Sequence, residues 1–493
     1  MKVFRISMLI LLLAKFACGQ YITPGNGVHW NLNDILNNSG GVLTFENDSY
    51  FLWSGLTISA NDTLNIITDE EIRIQQGVEI KINGILICEP PLKLIIAAMD
   101  TTLNFKGLSF DNSDASILRK CHIEFGGGIK LTGSDLLLDS CVIRKNNQSN
   151  CTGTLDMINS SPVIQNCMIA DNFGPAVLSS ANGNSSPRIS GNTLLRNCST
   201  NLNMPQINLG TSAAGDTIRI AGNTISGLFD NSGGIAVTTL AGGSVKAIIE
   251  NNTIENNRYG ITAYGMNIST VIKDNLIINN NIQGDPMLGG SGINFWGDQT
   301  NISMVSGNEI SGNLWGITVQ NQARPNMGQV DPDTLNPGKN LFFDNGNNGV
   351  TYALYNNTPN NLFAENNFWG TFDPDTVEMY IFHLPDDPAL GLVDYLPIKD
   401  FFTGSNSIKH EEPFGLTIFP NPADQQIKII LPNDIDTSSE YILQLLDING
   451  RLIFSESFQP DLQNADISFL PRGIFMVRVV ATDSVHSGIL IKK

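Results

Sequence analysis

The chain has 493 residues and a formal net charge of −19 at pH 7, with 28 Lys and Arg residues against 47 Asp and Glu residues. So acidic a surface argues against nucleic acid as a partner, because phosphate binding needs clustered Lys and Arg side chains. This length indicates two or more domains unless a repeat dominates the chain.

The first twenty residues have the order of a secretory signal peptide. Lys2 and Arg5 precede an apolar run at 8–13, and the small residues at 17–19 offer a cleavage site. The apolar run is too short to span a bilayer. We therefore predict that residues 1–19 are a signal peptide. No later stretch is apolar enough to predict a transmembrane segment.

A repeated phrase dominates residues 120–370. It consists of an apolar residue, Gly or Asn, Asn, any residue, Ile, then Asn, and then Gly-Ile, and clear copies lie at 249–261 and 305–317. A repeat of this kind, with short β-branched runs broken by Gly and Asn, indicates a solenoid. Positions equivalent to Asn252 recur 20 to 33 residues apart at Cys121, Cys141, Cys167, Asn192, Asn223, Asn275, Asn308, Asn340 and Asn367.

The repeat predicts strands rather than helices. Apolar residues alternate with a period of two, as in 253–255, and Asn is frequent. Each coil is expected to contribute about three short strands, with neighbouring coils stacked ~4.8 Å apart in parallel register. The first large domain, residues 20–400, is therefore predicted to be an all-β parallel β-helix with a dry core of Ile and Val.

Asn recurs for two physical reasons. It tolerates the left-handed backbone of a sharp bend, and its amide can bond to its copies in the coils above and below. A second series follows the first by five residues, at Asn146, Asn172, Asn197, Asn257, Asn280, Asn313 and Asn345. Cys121, Cys141 and Cys167 occupy the first series in its first three coils. Their spacing suits a disulfide, but we favour a stack of buried free thiols that replaces Asn.

The ends of the coil are less regular. Short alternating apolar runs predict that residues 42–120 continue the coil. A helical or irregular cap is expected at 30–38, because exposed strand edges must be blunted. A short helix and a Pro-rich closing segment are expected between 373 and 398.

Residues 40–397 resemble the pectate-lyase-like superfamily of right-handed parallel β-helix proteins. The resemblance depends on the Asn-x-Ile repeats, on Asn-Asn-Phe-Trp-Gly-Thr at 366–371, and on Asp-Asp-Pro-Ala-Leu-Gly at 386–391. It implies a right-handed solenoid, and it identifies architecture better than function.

The last eighty residues change character. After a polar linker at 401–412, alternating strands with turns at 447–450 and 470–473 predict a small antiparallel β-sandwich at 413–493. Their motifs resemble the type A sorting domain of the type IX (Por) secretion system. The resemblance implies contact with the type IX secretion machinery, passage through the outer membrane, and release or surface attachment. The residues that carry it are Pro420, Asn421, Pro422, Gly450, Gly473, Lys492 and Lys493.

Related folds cut acidic polysaccharides, so catalysis has to be considered. Such lyases hold calcium with carboxylates and abstract a proton with Lys or Arg, and such hydrolases use clustered Asp residues. The Gly-His-Gly and Arg-Ile-Lys signatures of polygalacturonase-like hydrolases are absent, as is the Asp-Phe-Ile-Phe-Gly signature of pectin methylesterase-like proteins. Whether the protein is an enzyme therefore stays open at this point.

Two charged groups are the available candidates. Glu124, Lys130, Arg144 and Lys145 lie on two adjacent coils and could form a lyase-type site, although solvated surface pairs are the interpretation we prefer. Calcium is the cofactor to expect if the protein is a lyase, and otherwise none. Its possible ligands, which ordinary turn chemistry explains equally well, are Asp285, Asp298, Asp331 and Asp333.

A polar strip is predicted on the outside of the coil. Ile261, Ile293, Ile317 and Val350 are expected to point inward, so alternation turns Thr262, Asn294, Thr318 and Thr351 outward. Thr238, Tyr264, Trp296 and Gln320 are expected to form the next outward row. An uncharged strip with a Tyr–Trp pair suits sugar rings. The other interpretation is that the loop at 284–290 covers the pair.

Two classes of function follow. The first is a non-catalytic secreted or cell-surface β-helix that binds a polysaccharide or belongs to the surface layer. The alternative is a polysaccharide lyase or glycoside hydrolase, for which the sequence assigns no catalytic residue. The candidate carbohydrate-binding residues are Tyr264, Trp296, Asn294, Gln320, Thr262 and Thr318.

Overall fold

The computed structural model describes residues 19–330, 336–399, 416–430, 441–447, 452–458, 464–480 and 485–493. These residues fall into two compact units, Met1–Lys399 and Asp400–Lys493. The predicted linker and all but Gly19 of the predicted signal peptide lie outside the described residues.

Three long sheets form the first unit, which confirms the predicted parallel β-helix. Sheet A contains Tyr21–Ile22, Leu56–Ile58, Glu79–Ile82, Gly107–Asp111, Ile129–Thr132, Leu155–Ile158, Val177–Ser179, Ile207–Leu209, Ile235–Thr238, Ile261–Tyr264, Ser291–Gly297, Trp315–Asn321, Leu354–Asn357 and Ile381–Phe382. Sheet B contains His29–Trp30, Thr63–Ile66, Ile85–Cys88, Ser116–Arg119, Leu136–Asp139, Val163–Gln165, Arg188–Ser190, Ile218–Ala221, Val245–Glu250, Ile268–Lys273 and Asn301–Ser306. Sheet C contains Leu43–Glu46, Ser49–Leu52, Glu71–Ile74, Leu94–Ala98, Cys121–Glu124, Val142–Arg144, Met168–Ala170, Thr193–Leu195, Thr224–Ser226, Thr253–Glu255, Leu276–Ile278, Glu309–Ser311 and Leu341–Phe343.

The coils up to Glu309–Ser311 pass through sheet A, then B, then C, before the chain rises to the next coil. Alternation within the strands turns every second side chain inward, where copies from successive coils stack in register. In sheet C, Ile225, Ile254, Ile277 and Ile310 form one such column and are fully buried. Burying each side chain of this size contributes roughly 1.5–3 kcal/mol. The column therefore provides both the core and the register of the coils.

Two adjacent residues have different roles at the corner between sheets B and C, one in the backbone bend and one in the ladder of side-chain bonds. Asn251 has the left-handed backbone, with a φ of 55°. Asn252 follows it, is buried, and donates from its amide to Asn275 Oδ1 at 2.9 Å. The prediction that one Asn provides both the left-handed bend and the ladder bond was wrong. The bend and the ladder are separate because a side chain that bonds along the coil axis must point inward.

The first ladder is continuous along the coils. Each buried Asn from position 192 to 340 donates from Nδ2 to Oδ1 of the next copy at 2.9 Å. At its beginning, the Cys121 N–H donates to Cys141 Sγ, and the Cys141 N–H donates to Cys167 Sγ, each at 3.4 Å. The Cys167 N–H then donates to Asn192 Oδ1 at 2.9 Å. These cysteines are free, which confirms the preferred interpretation of a thiol stack.

The second ladder contains one residue that the sequence analysis missed. No Asn stands at the expected position after Asn197, and Gln206 fills the gap with its longer side chain. Asn197 Nδ2 donates to Gln206 Oε1 at 3.0 Å, and Gln206 Nε2 donates to Asn257 Oδ1 at 3.2 Å. Gln206 lies in an insertion, so the periodicity of the repeat does not point to it.

Both ends of the coil are covered as predicted. Helix α1, Leu32–Asn38, lies at the start and is closed by a capping box between Asn31 and Asp34. Helix α2, Pro374–Glu378, lies in the closing segment. Short pairs of strands complete that end, namely Leu362–Phe363 with Val393–Asp394 and the hairpin of Gly346–Asn347 with Val350–Thr351.

The second unit is a small antiparallel sandwich, as predicted. One sheet contains Thr417–Phe419, Gln426–Ile430 and Asn464–Asp466. The other contains Leu452–Phe458, Tyr441–Leu446, Gly473–Val480 and Val485–Lys492. Side chains from both sheets, such as Ile429 and Val477, share one apolar core.

The two corner roles can be separated by mutation. Asn252→Ala removes the buried bonds to Asn275 and leaves the Asn223 N–H without its acceptor, so we expect it to cost about 3 kcal/mol or more. Asn251→Gly should change stability by no more than about 0.5 kcal/mol, because Gly adopts a positive φ without strain. Thermal unfolding, with hydrogen exchange of the amide at Asn223, measures both effects. Equal losses in the two variants would contradict this division of roles.

Candidate functional site

The predicted outer strip is present on sheet A. Ile261, Ile293 and Ile317 are in register and fully buried. The following residues, Thr262, Asn294 and Thr318, are in register on the outer face. The next outward row is Thr238, Tyr264, Trp296 and Gln320. The structure thus brings all six candidate carbohydrate-binding residues together on three consecutive coils.

The prediction for the fourth coil was wrong. Val350 is 47% exposed and belongs to the hairpin that pairs Gly346 with Thr351. The partner of Ile317 is Leu354, which places Tyr355 beside Thr318 and Asn357 beside Gln320. Gly349-Val350 resembles the Gly-Ile pair that contains the inward Ile on the preceding coils of sheet A, but Val350 belongs to the hairpin. Tyr355 and Asn357 were therefore missed.

The Tyr264–Trp296 pair is stacked on itself. The two ring centroids are 4.3 Å apart and the ring planes differ by 5°. One face of each ring therefore covers the other, and the remaining faces border their neighbours in the row, Thr238 and Gln320. The pair therefore does not offer a continuous flat surface to a sugar ring.

A groove of about 510 Å³ lies beside this pair. Three further aromatic residues line it, Tyr259, Trp315 and Tyr355. The ring centroids of Trp315 and Tyr355 are 5.2 Å apart at an angle of 57°. Its lining consists of Asn203, Arg258, Tyr259, Thr262, Tyr264, Pro286, Met287, Leu288, Gly289, Ser291, Asn294, Trp315, Thr318, Gln320, Tyr355 and Asn357. Aromatic rings, amides and hydroxyls dominate this lining, and none of these residues is an Asp or Glu.

The loop at 284–290 contributes one wall of the groove. Arg258 anchors it, because Nε donates to the Leu288 carbonyl at 2.9 Å and Nη1 donates to Asn203 Oδ1 at 2.6 Å. Trp315 Nε1 donates to the Pro286 carbonyl at 3.0 Å. Tyr264 and Trp296 both stay partly exposed, so the loop flanks the pair without burying it.

The floor of the groove is a chain of hydrogen bonds centred on Asn294. Asn294 Oδ1 accepts from the Thr318 hydroxyl at 2.8 Å and from Gln320 Nε2 at 3.2 Å. Asn294 Nδ2 donates to Thr262 Oγ1 at 2.9 Å. Ser291 extends the chain through a 3.0 Å contact between its hydroxyl and that of Thr318. Neighbouring coils thus hold the polar groups of the floor in fixed orientations.

The lyase-type candidates do not form one site. Arg144 Nε and Glu124 Oε1 form an ion pair at 2.9 Å on sheet C, whereas Lys130 lies on sheet A, in register with Ser109 and Asp156. Lys145 Nζ lies 5.3 Å from the centroid of the Phe125 ring. The arrangement is one of separate surface contacts.

Two of the four possible calcium ligands, Asp285 and Asp298, are used in turns. Asp285 Oδ1 accepts from the Met287 N–H, and Asp298 Oδ1 accepts from the Thr300 N–H. Asp331 and Asp333 lie outside the described residues. Among the residues that the structure describes, no group of three or more His, Cys, Asp and Glu side chains could hold a metal ion. Asp285 and Asp298, the two candidates that the structure describes, do not fit a calcium site.

Glu309 is a half-buried carboxyl group that does not line the groove. It lies on sheet C between Leu276 and Leu341. Burial between these leucines raises the pKa of Glu309 to about 7. Desolvation in this environment favours the neutral form of the Glu309 carboxyl group.

A larger cavity of about 750 Å³ lies against the outer face of sheet B. Its lining includes Ile302, Met304, Phe363 and Arg324. It lacks the aligned rows of aromatic and amide side chains that sheet A presents. The groove on sheet A is therefore the better candidate site for a polar ring-shaped ligand.

The predicted sorting motif brings two distant segments together. Asn421 Oδ1 accepts from the Ile491 N–H at 2.8 Å, and the Lys493 N–H donates to the Ala423 carbonyl at 2.8 Å. Lys492 is 8% exposed, whereas Lys493 is exposed. Of the remaining motif residues, Pro420 is exposed, Pro422 is half-buried and Gly473 has a φ of 149°. Gly450 lies outside the described residues.

Comparison with known families agrees with both units. A family model described as a right-handed β-helix region matches residues 95–225, and a family of unknown function, DUF1565, matches 244–376. The secretion system C-terminal sorting domain matches residues 417–493. This chain is a right-handed parallel β-helix protein of the pectate-lyase-like fold with a type IX sorting domain. No curated protein and no solved structure matches it.

The sorting domain determines where this β-helix protein acts. It directs export by the type IX secretion machinery, so the protein is secreted or displayed at the cell surface. Among the described residues, no helix is long and apolar enough to cross a membrane.

Removing the Arg258 anchor should loosen the wall of the groove. Arg258→Met keeps the aliphatic stem and loses the bonds to Leu288 and Asn203, so hydrogen exchange in the 284–290 loop should accelerate while the melting temperature stays unchanged. Arg324→Met is the matched control, because Arg324 bonds to Asn360 outside this groove. Unchanged exchange in the Arg258 variant would show that the loop holds its position without the anchor.

Glu309 should make stability depend on pH. A carboxyl whose pKa is raised from 4.5 to about 7 favours the folded state fully below pH 4.5, and this contribution is lost as the pH rises through 7. Glu309→Gln should therefore stabilise the protein by roughly 2–3 kcal/mol at pH 8 and leave it unchanged at pH 4. Unfolding at both pH values measures this, with exposed Glu46→Gln as the control. An equal effect at pH 4 and pH 8 would contradict the assignment.

Proposed function

We propose that this exported β-helix protein binds a polysaccharide in the groove on sheet A and does not cleave it. The observation that carries the proposal is the composition of the groove, in which aromatic rings stand beside a row of fixed amides and hydroxyls. Carbohydrate has both an apolar ring face and a ring of hydroxyl groups, so it needs both kinds of contact.

The placement of the aromatic residues supports one sugar-stacking wall rather than the pair first considered. Tyr264 lines the groove, and Trp315 and Tyr355 line it from the second and third coils after that of Tyr264. Trp296 lies behind Tyr264 in the stacked pair and is absent from the lining. Trp296 therefore supports Tyr264, whereas Tyr264, Trp315 and Tyr355 are rings available to a ligand.

The electrostatics of the groove favour binding over cleavage. Hydrolysis of a glycosidic bond needs two carboxyl groups, and a lyase needs a base and a means to neutralise the substrate carboxylate. The residues that line the groove contain no Asp or Glu, and the guanidinium of Arg258 is bonded to neutral acceptors. A lyase or hydrolase would thus need a different site on this surface.

The length of the solenoid also suits a polymer. The outer face of sheet A continues on both sides of the groove, because its strands follow one another without a break in the register from Ile235–Thr238 to Leu354–Asn357. A chain-like ligand can extend along such a face. A display surface of this kind is consistent with a protein of the cell surface or the surrounding matrix.

Substitutions at Trp315 test the groove. Trp315→Ala removes a ring of the wall and the bond to Pro286, so retention on the bound polysaccharide should fall about tenfold or more, which corresponds to about 1.4 kcal/mol. Trp315→Phe keeps a ring and loses only the hydrogen bond, so it should retain most of the affinity. Affinity electrophoresis against a panel of neutral and acidic polysaccharides provides the measurement.

Trp53→Ala is the matched control, because Trp53 is a partly exposed Trp near the first coils and outside the groove. Reducing-end release and absorbance from unsaturated products are followed in the same samples. Turnover that disappears on mutating an acid or a base would establish an enzyme and overturn the proposal. Absence of retention on any polysaccharide would leave a structural role at the cell surface as the better account.

A further inference from the structure

The hydrogen-bond chain on the groove floor fixes which atoms remain for a ligand. Gln320 turns its Nε2 toward Asn294 Oδ1. Its Oε1 has no hydrogen-bond partner among the described residues, and Gln320 lines the groove while it stays partly exposed. An amide oxygen is an acceptor only. The groove therefore presents a fixed acceptor at this position.

The other end of the chain has the opposite character. Thr262 Oγ1 accepts from Asn294 Nδ2. A hydroxyl that accepts one hydrogen bond still has its own proton to donate, and Thr262 lines the groove. The floor thus offers an acceptor at Gln320 and a donor at Thr262, both held in place by Asn294 between them.

We infer that the groove selects neutral sugars over uronic acids and that Gln320 determines this specificity, an inference that rests on the proposed function. A sugar hydroxyl both donates and accepts, so neighbouring hydroxyls can donate to Gln320 Oε1 and accept from Thr262. A carboxylate only accepts. A carboxylate placed against Gln320 Oε1 would bring two acceptor oxygens together with no proton between them. This contact leaves a partly buried polar group unsatisfied and costs affinity.

The negative charge of the protein as a whole also favours neutral sugars over uronic acids. The formal net charge is −19, so the field of the protein repels an anionic polymer, most strongly at low salt. The one cation in the lining, Arg258, donates to the Leu288 carbonyl and to Asn203 and so anchors the loop. Asn294 is a positioning residue in this arrangement, because it acts by orienting the amide of Gln320.

Matched polymers provide a direct test. The probes are polygalacturonate, glucuronan and mannuronan, each compared with its carboxyl-reduced form, which has the same backbone with a hydroxymethyl group in place of the carboxylate. The full-length protein should retain at least one reduced polymer about tenfold more strongly than its acidic parent. This preference should persist at high salt, because hydrogen bonds between neutral groups are not screened.

Gln320→Lys replaces the fixed acceptor with a cationic donor. Binding of the reduced polymer should fall about tenfold, and binding of the acidic parent should rise. Gln322→Lys is the matched control: it adds the same charge two residues further along, at an exposed position outside the groove lining. It should leave the preference unchanged. Because Gln320 is on the outer face, neither variant is expected to alter the melting temperature, which is measured alongside.

The outcomes separate the inference from the function on which it rests. Equal retention of both forms, or stronger retention of an acidic polymer that Arg258→Met abolishes, would overturn the neutral specificity and leave the groove as a polysaccharide site. A preference that Gln320→Lys does not change would overturn the role of Gln320. No retention of any polymer by the unmodified protein would overturn the inference and the proposed function together.

Discussion

Everything on the surface of this protein depends on how one coil is placed above the next, and buried amides determine that placement. One strand of a parallel stack could slip by one residue along its neighbour and keep the same number of backbone hydrogen bonds. Such a slip would turn its apolar side chains outward. The ladder at the corner between sheets B and C prevents such a slip, because the amide of Asn252 bonds both to Asn275 in the next coil and to the Ile220 carbonyl of the preceding one. A shifted coil would leave these buried groups without partners.

The ladders also show how different side chains meet one requirement. The corner needs a buried group that accepts from the backbone N–H of the preceding coil. Asn oxygens do so along most of the solenoid, and thiol sulfurs do so at Cys141 and Cys167. In the second ladder, Gln206 reaches in from an insertion and accepts from the side-chain amide of Asn197 instead. Amides bond in both directions and at shorter distance, so the thiol part holds adjacent coils mainly through packing.

A fixed register converts a repeat into a functional surface. Positions one repeat apart come side by side on sheet A, so residues far apart in the chain, such as Thr262, Asn294 and Gln320, form one floor. Insertions between strands can then vary without disturbing the core. The loop at 284–290 is such an insertion, and Arg258 from the preceding coil holds it as a wall. Export is directed by the separate sorting domain.

The sequence by itself determined the solenoid, both Asn series, the sandwich and the outer row on three of its four predicted coils, because period-two alternation and the recurring Asn report directly on inward and outward positions. It did not determine which residue has the left-handed backbone, that Gln206 completes a ladder, or that the hairpin at Val350 moves the next strand to Leu354. Nor did it show that Tyr264 and Trp296 cover each other while Trp315 and Tyr355 line the groove. Those features depend on the path of insertions and on ring orientation, which only contacts between coils decide.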